Sequence, residues 1–144
     1  MTPRCTLAFV SGAHAVTTTI ALRYAVEREL AIDAAGIRRR ASDVPKDALF
    51  LGTGVTPPLL FTAITSIAAT VLLCRPSRTA ARTLGVLGAV MLVGYAAERE
   101  TRRALVPHQW DSRVTPLTAV GVALTVQMAV LGLGSAAAAT QREP

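Results

Sequence analysis

Charged residues are scarce in this chain and very unevenly spread. Only 17% of its 144 residues are Asp, Glu, Lys or Arg, against about 25% in an average soluble domain. Aromatic residues make up 4% of the sequence, whereas hydrophobic residues make up 51% and the mean hydropathy is +0.44. This composition disfavours an ordinary soluble domain and favours a chain whose apolar segments lie in lipid.

Motifs that identify soluble catalysts are also absent from the sequence. It contains no phosphate-binding loop, no H-E-x-x-H motif and no nucleophile elbow, so nucleotide chemistry of the soluble type is not expected. Cys5 and Cys74 lack metal-ligand spacing, and we predict neither a metal site nor a cofactor. The net charge of +6 comes from basic residues that flank apolar segments, without the aromatic–basic interleaving of nucleic-acid binders, so no nucleic-acid partner is expected.

Four long windows of the sequence carry no charged residue, namely 5–22, 48–74, 83–97 and 114–140. A bilayer core about 30 Å thick requires roughly 20 apolar residues of helix, which the second and fourth windows exceed. We therefore predict an all-α fold, an integral membrane bundle of four transmembrane helices, in one membrane domain covering residues 1–144. The predicted spans are approximately 5–25, 48–74, 80–98 and 116–139, with an amphipathic first loop at 26–47.

The distribution of basic residues predicts the orientation of these spans. Ten of the 15 Arg and Lys residues lie in or beside loops 26–47 and 99–115, and the other five lie on the opposite side. Lys and Arg concentrate on the cytoplasmic side of membrane proteins. We therefore expect a multi-pass protein of the cell membrane whose loops 26–47 and 99–115 are cytoplasmic.

A histidine lies near the middle of the first predicted span. Ser11, His14 and Thr18 recur at helical spacing and form one polar stripe, and the second span carries Thr62, Thr65, Ser66 and Thr70. An ionisable residue at this depth is a candidate functional residue. The alternative is a neutral imidazole that is hydrogen-bonded to a neighbouring helix and only holds the helices together.

Acidic, basic and aromatic side chains gather at one predicted membrane face. In "GYAAERETRRALVPHQWD", which starts at Gly94, Glu98 and Arg102 are an acid and a base at i, i+4 spacing at the end of the third span. The predicted substrate-binding residues around them are Arg23, Tyr24, Tyr95, His108, Trp110 and Asp111. The alternative is an ordinary interface, where charged helix ends and a belt of Trp and Tyr are usual.

Two adjacent prolines interrupt the second window. Pro57 and Pro58 lack backbone donors, so they predict a kink or a break that frees the carbonyls of Thr53 and Gly54. Irregular backbone at membrane depth is tolerated where it is buried in protein or lines a cavity. The two cysteines fall at the same predicted membrane face, which leaves a disulfide between the first two helices open.

These features predict a pocket near one leaflet that binds a lipophilic small molecule. If the protein is an enzyme, we expect acid–base chemistry such as isomerisation, cyclisation or cofactor-free oxygenation. His14 and Glu98 would then move protons, and Arg102 or Arg23 would stabilise negative charge. The alternatives are a small transporter subunit or a non-enzymatic accessory protein, and the expected partners are the lipid bilayer and either a second copy of the chain or another membrane protein.

Overall fold

Helices form nearly all the regular structure of the chain. The computed structural model describes residues 2–34, 37–106, 108 and 110–140. Its α-helices and strands, in chain order, are α1 (Pro3–Glu27), β1 (Asp33–Ala34), β2 (Ile37–Arg38), α2 (Val44–Phe50), α3 (Leu59–Cys74), α4 (Arg78–Ala97), α5 (Arg99–Ala104) and α6 (Val114–Thr140). A 3-10 turn, Ala41–Asp43, precedes α2. The predicted all-helical class is confirmed.

Three of the described helices are long and apolar enough to cross a membrane. They are α1, α4 and the stretch Val114–Ser135 of α6, with mean hydropathies of 1.4, 1.5 and 1.8. Helix α3 is apolar but has only 16 residues. At 1.5 Å per residue it is about 24 Å long, short of a hydrocarbon core of about 30 Å.

The second apolar window is interrupted, whereas the sequence predicted one span over 48–74. Helix α2 ends at Phe50, a loop follows, and α3 begins at Leu59. The break has a local cause, because Gly52 has a positive φ of 88°, which favours glycine. A Cβ at Gly52 would lie 2.4 Å from the carbonyl oxygen of Thr56. Pro57 and Pro58 then lack the N–H groups that a continuous helix would need.

The first loop also differs from the predicted amphipathic segment. Helix α1 ends where Glu29 adopts a positive φ of 54°, and the N–H groups of Glu29 and Leu30 bond to the carbonyls of Val26 and Ala25. This pattern is a Schellman motif, which ends a helix. The strands β1 and β2 then pair antiparallel in place of a helix.

The four long helices pack around a shared apolar core. Helix α1 contacts α3 and α6, and α4 contacts the same two helices. Each of the four contributes one large, fully buried side chain, namely Leu7, Leu72, Leu84 and Met128. The closest approach is between α4 and α6, where a Cβ at Gly132 would lie 2.5 Å from the Cα of Gly85. Small residues permit this backbone contact.

The first and third loops meet at one end of these helices. Ala34 forms an isolated β-bridge with Glu98, and the N–H of Gly54 donates to the carbonyl of Leu30 at 2.9 Å. Arg28 pairs with Asp111 at 2.8 Å. We call this end, formed by the described parts of segments 28–58 and 98–113, the loop end. The opposite end, formed by residues 2–7, 72–81 and 130–135, is the far end.

Candidate functional site

Glu98 lies at the junction between α4 and α5. Its backbone is extended (φ −76°, ψ 127°), so α4 stops at Ala97 and α5 starts at Arg99. Its side chain is buried, with 6% of the residue exposed, and Oε1 accepts the N–H of Asp33 at 2.9 Å. The carboxylate is therefore fixed against β1 at the loop end.

The predicted pairing of Glu98 with Arg102 is not what the structure shows. The guanidinium of Arg102 donates to the carbonyls of Ala96 and Ala97, at 2.7 and 2.8 Å. The physical reason is the break at Glu98, because residues four apart share a face only on a continuous helix. Arg102 instead neutralises the carbonyl end of α4.

The surroundings of Glu98 favour its protonated form. Burial raises the pKa of its carboxyl group, and the nearby carboxylates of Asp33 and Glu100 raise it further. Hydrogen bonding from the backbone N–H groups of Asp33 and Glu100 opposes this shift. The resulting pKa lies above its ordinary value of 4.5. A carboxyl group of this kind is suited to exchanging a proton.

A cavity of about 210 Å³ opens beside Glu98. The loop before α3, the last turns of α4 and the start of α5 form most of its wall. Its lining residues are Ile32, Ala34, Leu51, Thr53, Val55, Thr56, Pro57, Pro58, Phe61, Val90, Met91, Gly94, Tyr95, Ala97, Glu98 and Thr101. Most of them are apolar, and Glu98 is the only charged residue in this set.

The loop that covers the cavity is tied down by specific bonds. The buried Asp47 accepts two bonds from Arg39, both at 2.8 Å, and these bonds lower the pKa of its carboxyl group. Its backbone carbonyl accepts the N–H groups of Leu51 and Gly52. The hydroxyls of Thr53 and Thr56 bond to each other at 2.8 Å. These hydrogen bonds hold the irregular segment between α2 and α3 in place.

Tyr95 forms the inner wall of the cavity. It is buried, and its hydroxyl lies against α6, because a Cβ at Gly121 would be 3.1 Å from that oxygen. The hydroxyl also approaches the side chain of Thr18 on α1, although the Thr18 oxygen completes no hydrogen bond. Tyr95 thus separates the cavity from the polar stripe of α1.

The polar stripe of α1 is buried. Ser11, His14 and Thr18 face inward, and His14 is 0% exposed. Both of its ring nitrogens lack a hydrogen-bond partner, as do the side-chain oxygens of Ser11, Thr18, Thr62 and Thr65. The alternative of an imidazole bonded to a neighbouring helix is therefore not what the structure shows. His14 does not belong to the lining of the Glu98 cavity.

The polar face predicted for the second span is only partly internal. Thr62 and Thr65 are buried, whereas Ser66 and Thr70 are exposed. The hydroxyls of Ser66 and Thr70 donate to the carbonyls four residues earlier. Side chains bonded in this way satisfy themselves within their own helix.

Most of the predicted substrate-binding residues lie away from the cavity. Only Tyr95 lines it. Arg23 is exposed and pairs with Glu27 at 2.8 Å, while Tyr24 lies beneath Arg113, whose guanidinium carbon is 5.8 Å from the ring centroid. His108 and Trp110 are exposed, and Asp111 accepts from the backbone at the start of α6 as well as from Arg28. The physical reason is that Arg23, Tyr24 and Asp111 lie at α1 and α6, whereas the cavity lies beside α3 and α4.

Several lining residues were not predicted from the sequence. Thr53 and Thr56 belong to the interrupted segment, Thr101 follows Glu98 by three residues, and Gly94 precedes it by four. The spacing of Gly94 and Met91 from Glu98 was a usable signal, because all three fall on one helical face. The contribution of loop 51–58 required knowledge of where the second helix starts.

The cysteines and other potential metal ligands in the described part of the chain, and the comparisons with known proteins, give no further evidence on the function of this site. Within the described ranges, no three His, Cys, Asp or Glu residues are grouped so that they could hold a metal ion. Cys5 and Cys74 are free thiols. Comparisons with protein-family models, curated proteins and solved structures found no match for this chain.

Proposed function

We propose that this protein is a four-span membrane protein that binds a lipophilic small molecule in the Glu98 cavity. The single observation that carries the proposal is the cavity itself, an apolar hollow of about 210 Å³ that contains one buried carboxyl group. Apolar pockets with a few placed polar groups are the usual form of small-molecule sites. The molecule would reach the site from the bilayer.

The outer surfaces of the helices support four spans. Each of α1, α3, α4 and α6 exposes large apolar side chains, for example Phe9, Ile67, Val93 and Val130. In water such surfaces would form unusually large apolar patches, whereas lipid accommodates them. Helix α3 would complete its passage with the buried segment before it, since irregular backbone is tolerated at membrane depth when protein covers it. The excess of Arg and Lys in loops 26–47 and 99–115 supports a cytoplasmic loop end.

The size of the cavity restricts what fits. Pockets that enclose drug-sized ligands measure about 300–1,000 Å³, and this one is smaller. A single ring or the head of a longer apolar chain matches it, and the remainder of a larger molecule would extend into the bilayer. Phe61, Met91 and Val55 offer apolar contacts to such a group.

If the protein is an enzyme, Glu98 is the group that exchanges protons with the bound molecule. Its pKa is raised by burial, which brings the group closer to neutral pH, where an acid or base is most effective. Tyr95 is placed to orient the molecule from the inner wall. Arg102 and Arg23 are not part of the proposed chemistry, because neither lines the cavity.

The proposal is tested by identifying what the purified protein carries. The protein would be extracted from membranes in mild detergent, and its bound hydrophobic compounds would be measured by mass spectrometry. Gly94→Phe is the informative variant, because Gly94 lines the cavity and a Cβ there meets nothing within 4 Å. Gly12→Phe is the matched control, since a Cβ at Gly12 also meets nothing within 4 Å and Gly12 lies outside the lining.

We expect a specific compound in the wild-type protein and the Gly12→Phe variant, and at least a tenfold lower amount in Gly94→Phe. An equal amount in all three proteins would place the compound elsewhere and contradict the proposal. A co-purifying protein in place of any compound would favour an accessory role.

A further inference from the structure

We propose that the ligand of the Glu98 cavity is a lipophilic cation, whose positive group pairs with the Glu98 carboxylate while its apolar part contacts the cavity wall. This inference rests on the proposed function and narrows it to one class of molecule. Three observations support it. They concern the charged residue in the lining, the hydrogen bonds of the other polar lining residues, and the partners of the neighbouring arginines.

The charges of the lining are the first argument. Of the 16 residues that line the cavity, Glu98 is the only Asp, Glu, Lys, Arg or His. A buried carboxylate is costly unless a cation or several hydrogen bonds compensate it. Glu98 accepts the N–H of Asp33 at 2.9 Å and is also bonded by the N–H of Glu100, but its carboxyl group has no cationic partner there, and the nearby acids Asp33 and Glu100 raise its pKa. A cation in the cavity would supply the missing opposite charge.

The neighbouring arginines do not supply that charge. Arg99 pairs with Asp33 at 3.3 Å, and Arg103 pairs with Glu100 at 2.7 Å. Arg102 donates to the carbonyl oxygens at the end of α4. Each of these three guanidinium groups therefore has a partner other than Glu98.

The remaining polar groups of the lining do not suit an anion. The hydroxyls of Thr53 and Thr56 bond to each other at 2.8 Å. Thr101 donates to the carbonyl of Gly54 at 3.5 Å. An anionic ligand would meet a carboxylate and engaged hydroxyls, and like charges at this depth repel strongly. The cavity thus discriminates by charge in favour of cations.

Binding of a cation is expected to depend on pH. The ionisable groups around Glu98 are Asp33 on β1, Tyr95 on α4, and Arg99, Glu100, Arg102 and Arg103 on α5, while loop 51–58 contributes none. A cation binds the carboxylate and not the protonated acid, so affinity should fall as pH falls through the pKa of Glu98. By linkage, binding of the cation releases a proton from Glu98 when the pH is near that pKa.

Three probes of nearly equal size separate charge from shape. Phenyltrimethylammonium is a cation, tert-butylbenzene is its neutral isostere, and benzenesulfonate is an anion of similar bulk. The reporter is the ¹³C-labelled methyl group of Met91, which lines the cavity, in full-length protein held in lipid nanodiscs. Met128 is fully buried and outside the lining, so its methyl signal is an internal control.

We expect the cation to shift the Met91 signal saturably and to bind at least tenfold more tightly than the other two probes, which corresponds to about 1.4 kcal/mol. Glu98→Gln should weaken cation binding at least tenfold and leave the neutral probe unchanged. Glu27→Gln is the control and should leave cation binding unchanged, since it removes a carboxylate that pairs with Arg23 and lies outside the cavity lining. In the wild-type protein, cation binding should be weaker at pH 5 than at pH 8, which tests Glu98 without any substitution.

Two results would overturn the inference in different ways. If the neutral probe binds as tightly as the cation and pH has no effect, the cavity binds lipophiles but does not select cations, and only this inference fails. If no probe moves the Met91 signal, the proposed function fails together with it.

Discussion

The two ends of the helices enclose hollows of opposite character. At the far end a cavity of about 700 Å³ is lined by helix termini and includes Arg4 and Arg78. At the loop end the cavity is about 210 Å³ and its one charged residue is Glu98. All four long helices line the far hollow, whereas at the loop end only α3 and α4 do, and loop residues with the start of α5 form the rest of the wall. Loops 28–58 and 98–113 narrow one end and bring a carboxylate into it.

The packing between α4 and α6 also differs between the two ends. Toward the far end the two backbones touch, because Gly85 and Gly132 have no side chains between them. Toward the loop end the ring of Tyr95 stands against Gly121 of α6. The far half is thus held by backbone contact, and the loop half leaves room for a side chain that lines a cavity.

The largest loss of stability is expected from a substitution that disrupts the backbone contact between α4 and α6. Gly132→Ala should lower the free energy of unfolding by about 3 kcal/mol, because overpacking of this size is costly when the obstructing atoms are backbone. Its Cβ would lie 2.5 Å from Gly85 and 2.7 Å from the carbonyl of Ala81. The same change at Gly94, at the loop end, should not destabilise, since a Cβ there meets nothing within 4 Å. Thermal unfolding in detergent measures both, and equal losses would refute the difference between the two halves.

A second pair of variants compares the helix starts at the two ends. Asp111→Ala should lower the free energy of unfolding more than Ser77→Ala does, because Asp111 Oδ1 accepts two N–H groups, those of Arg113 and Val114, at the start of α6. Ser77→Ala should cost about 1 kcal/mol, since Ser77 Oγ accepts one N–H, that of Ala80, at the start of α4. These backbone bonds and Arg28 lower the pKa of Asp111 to about 2. Its contribution should therefore be lost as pH falls from about 4 toward 2, and a loss at higher pH would contradict this assignment.

His14 lies between the two ends, and its substitution is expected to increase stability by a smaller amount. His14→Leu should raise the free energy of unfolding by about 1 kcal/mol, because its two ring nitrogens are buried without partners and a leucine removes that cost. Unfolding in detergent measures the change. If stability falls instead by a similar amount, the imidazole is a tie between helices and the interpretation of the stripe as functional is wrong.

The smallest expected effect is the pH dependence contributed by Glu98. Its folded pKa lies above the ordinary value of 4.5, so the folded state holds the proton more tightly than the unfolded state. Stability should therefore decrease as pH rises from 4.5 through the folded pKa, and Glu98→Gln should flatten this slope. Unfolding curves across this range provide the measurement. A slope of the opposite sign would mean that the carboxylate is well compensated.

The sequence predicted the helices and part of the site for clear physical reasons. Long uncharged windows predicted α1, α4 and α6, whereas the window 48–74 is interrupted before α3, beside Pro57 and Pro58, and the interrupted segment lines the cavity with Glu98 and Tyr95. The break at Glu98 could not be predicted, because Ala97–Arg103 reads as continuous helix. It depends on the bridge to Ala34 and on the N–H of Asp33, which are 64 and 65 residues away in sequence. Such contacts leave no periodic signal in the chain.

The separation of Tyr24, His108, Trp110 and Asp111 from the cavity was hidden for the same reason. In any four-span arrangement, Asp111 and Tyr24 lie at the same membrane face as Glu98. Sequence spacing predicts the depth of a residue in the membrane, but it does not predict which helices are neighbours. The arrangement of neighbouring helices decides which of these residues contact each other. Here Tyr24 meets Arg113 and Asp111 meets Arg28, beside α1 and α6.

The most direct test of the central claim is where a lipophile labels the buried interior. Protein in lipid bilayers would be irradiated with a small photoreactive phenyldiazirine, and the labelled residues would be identified by mass spectrometry. Val55 and Met91 line the loop-end cavity, Leu7 and Leu72 line the far-end cavity, and all four are buried, so lipid alone does not reach them. We predict labelling of Val55 and Met91 that is lost in the Gly94→Phe variant. Labelling confined to Leu7 and Leu72, or unchanged in that variant, would contradict a binding site at the loop end.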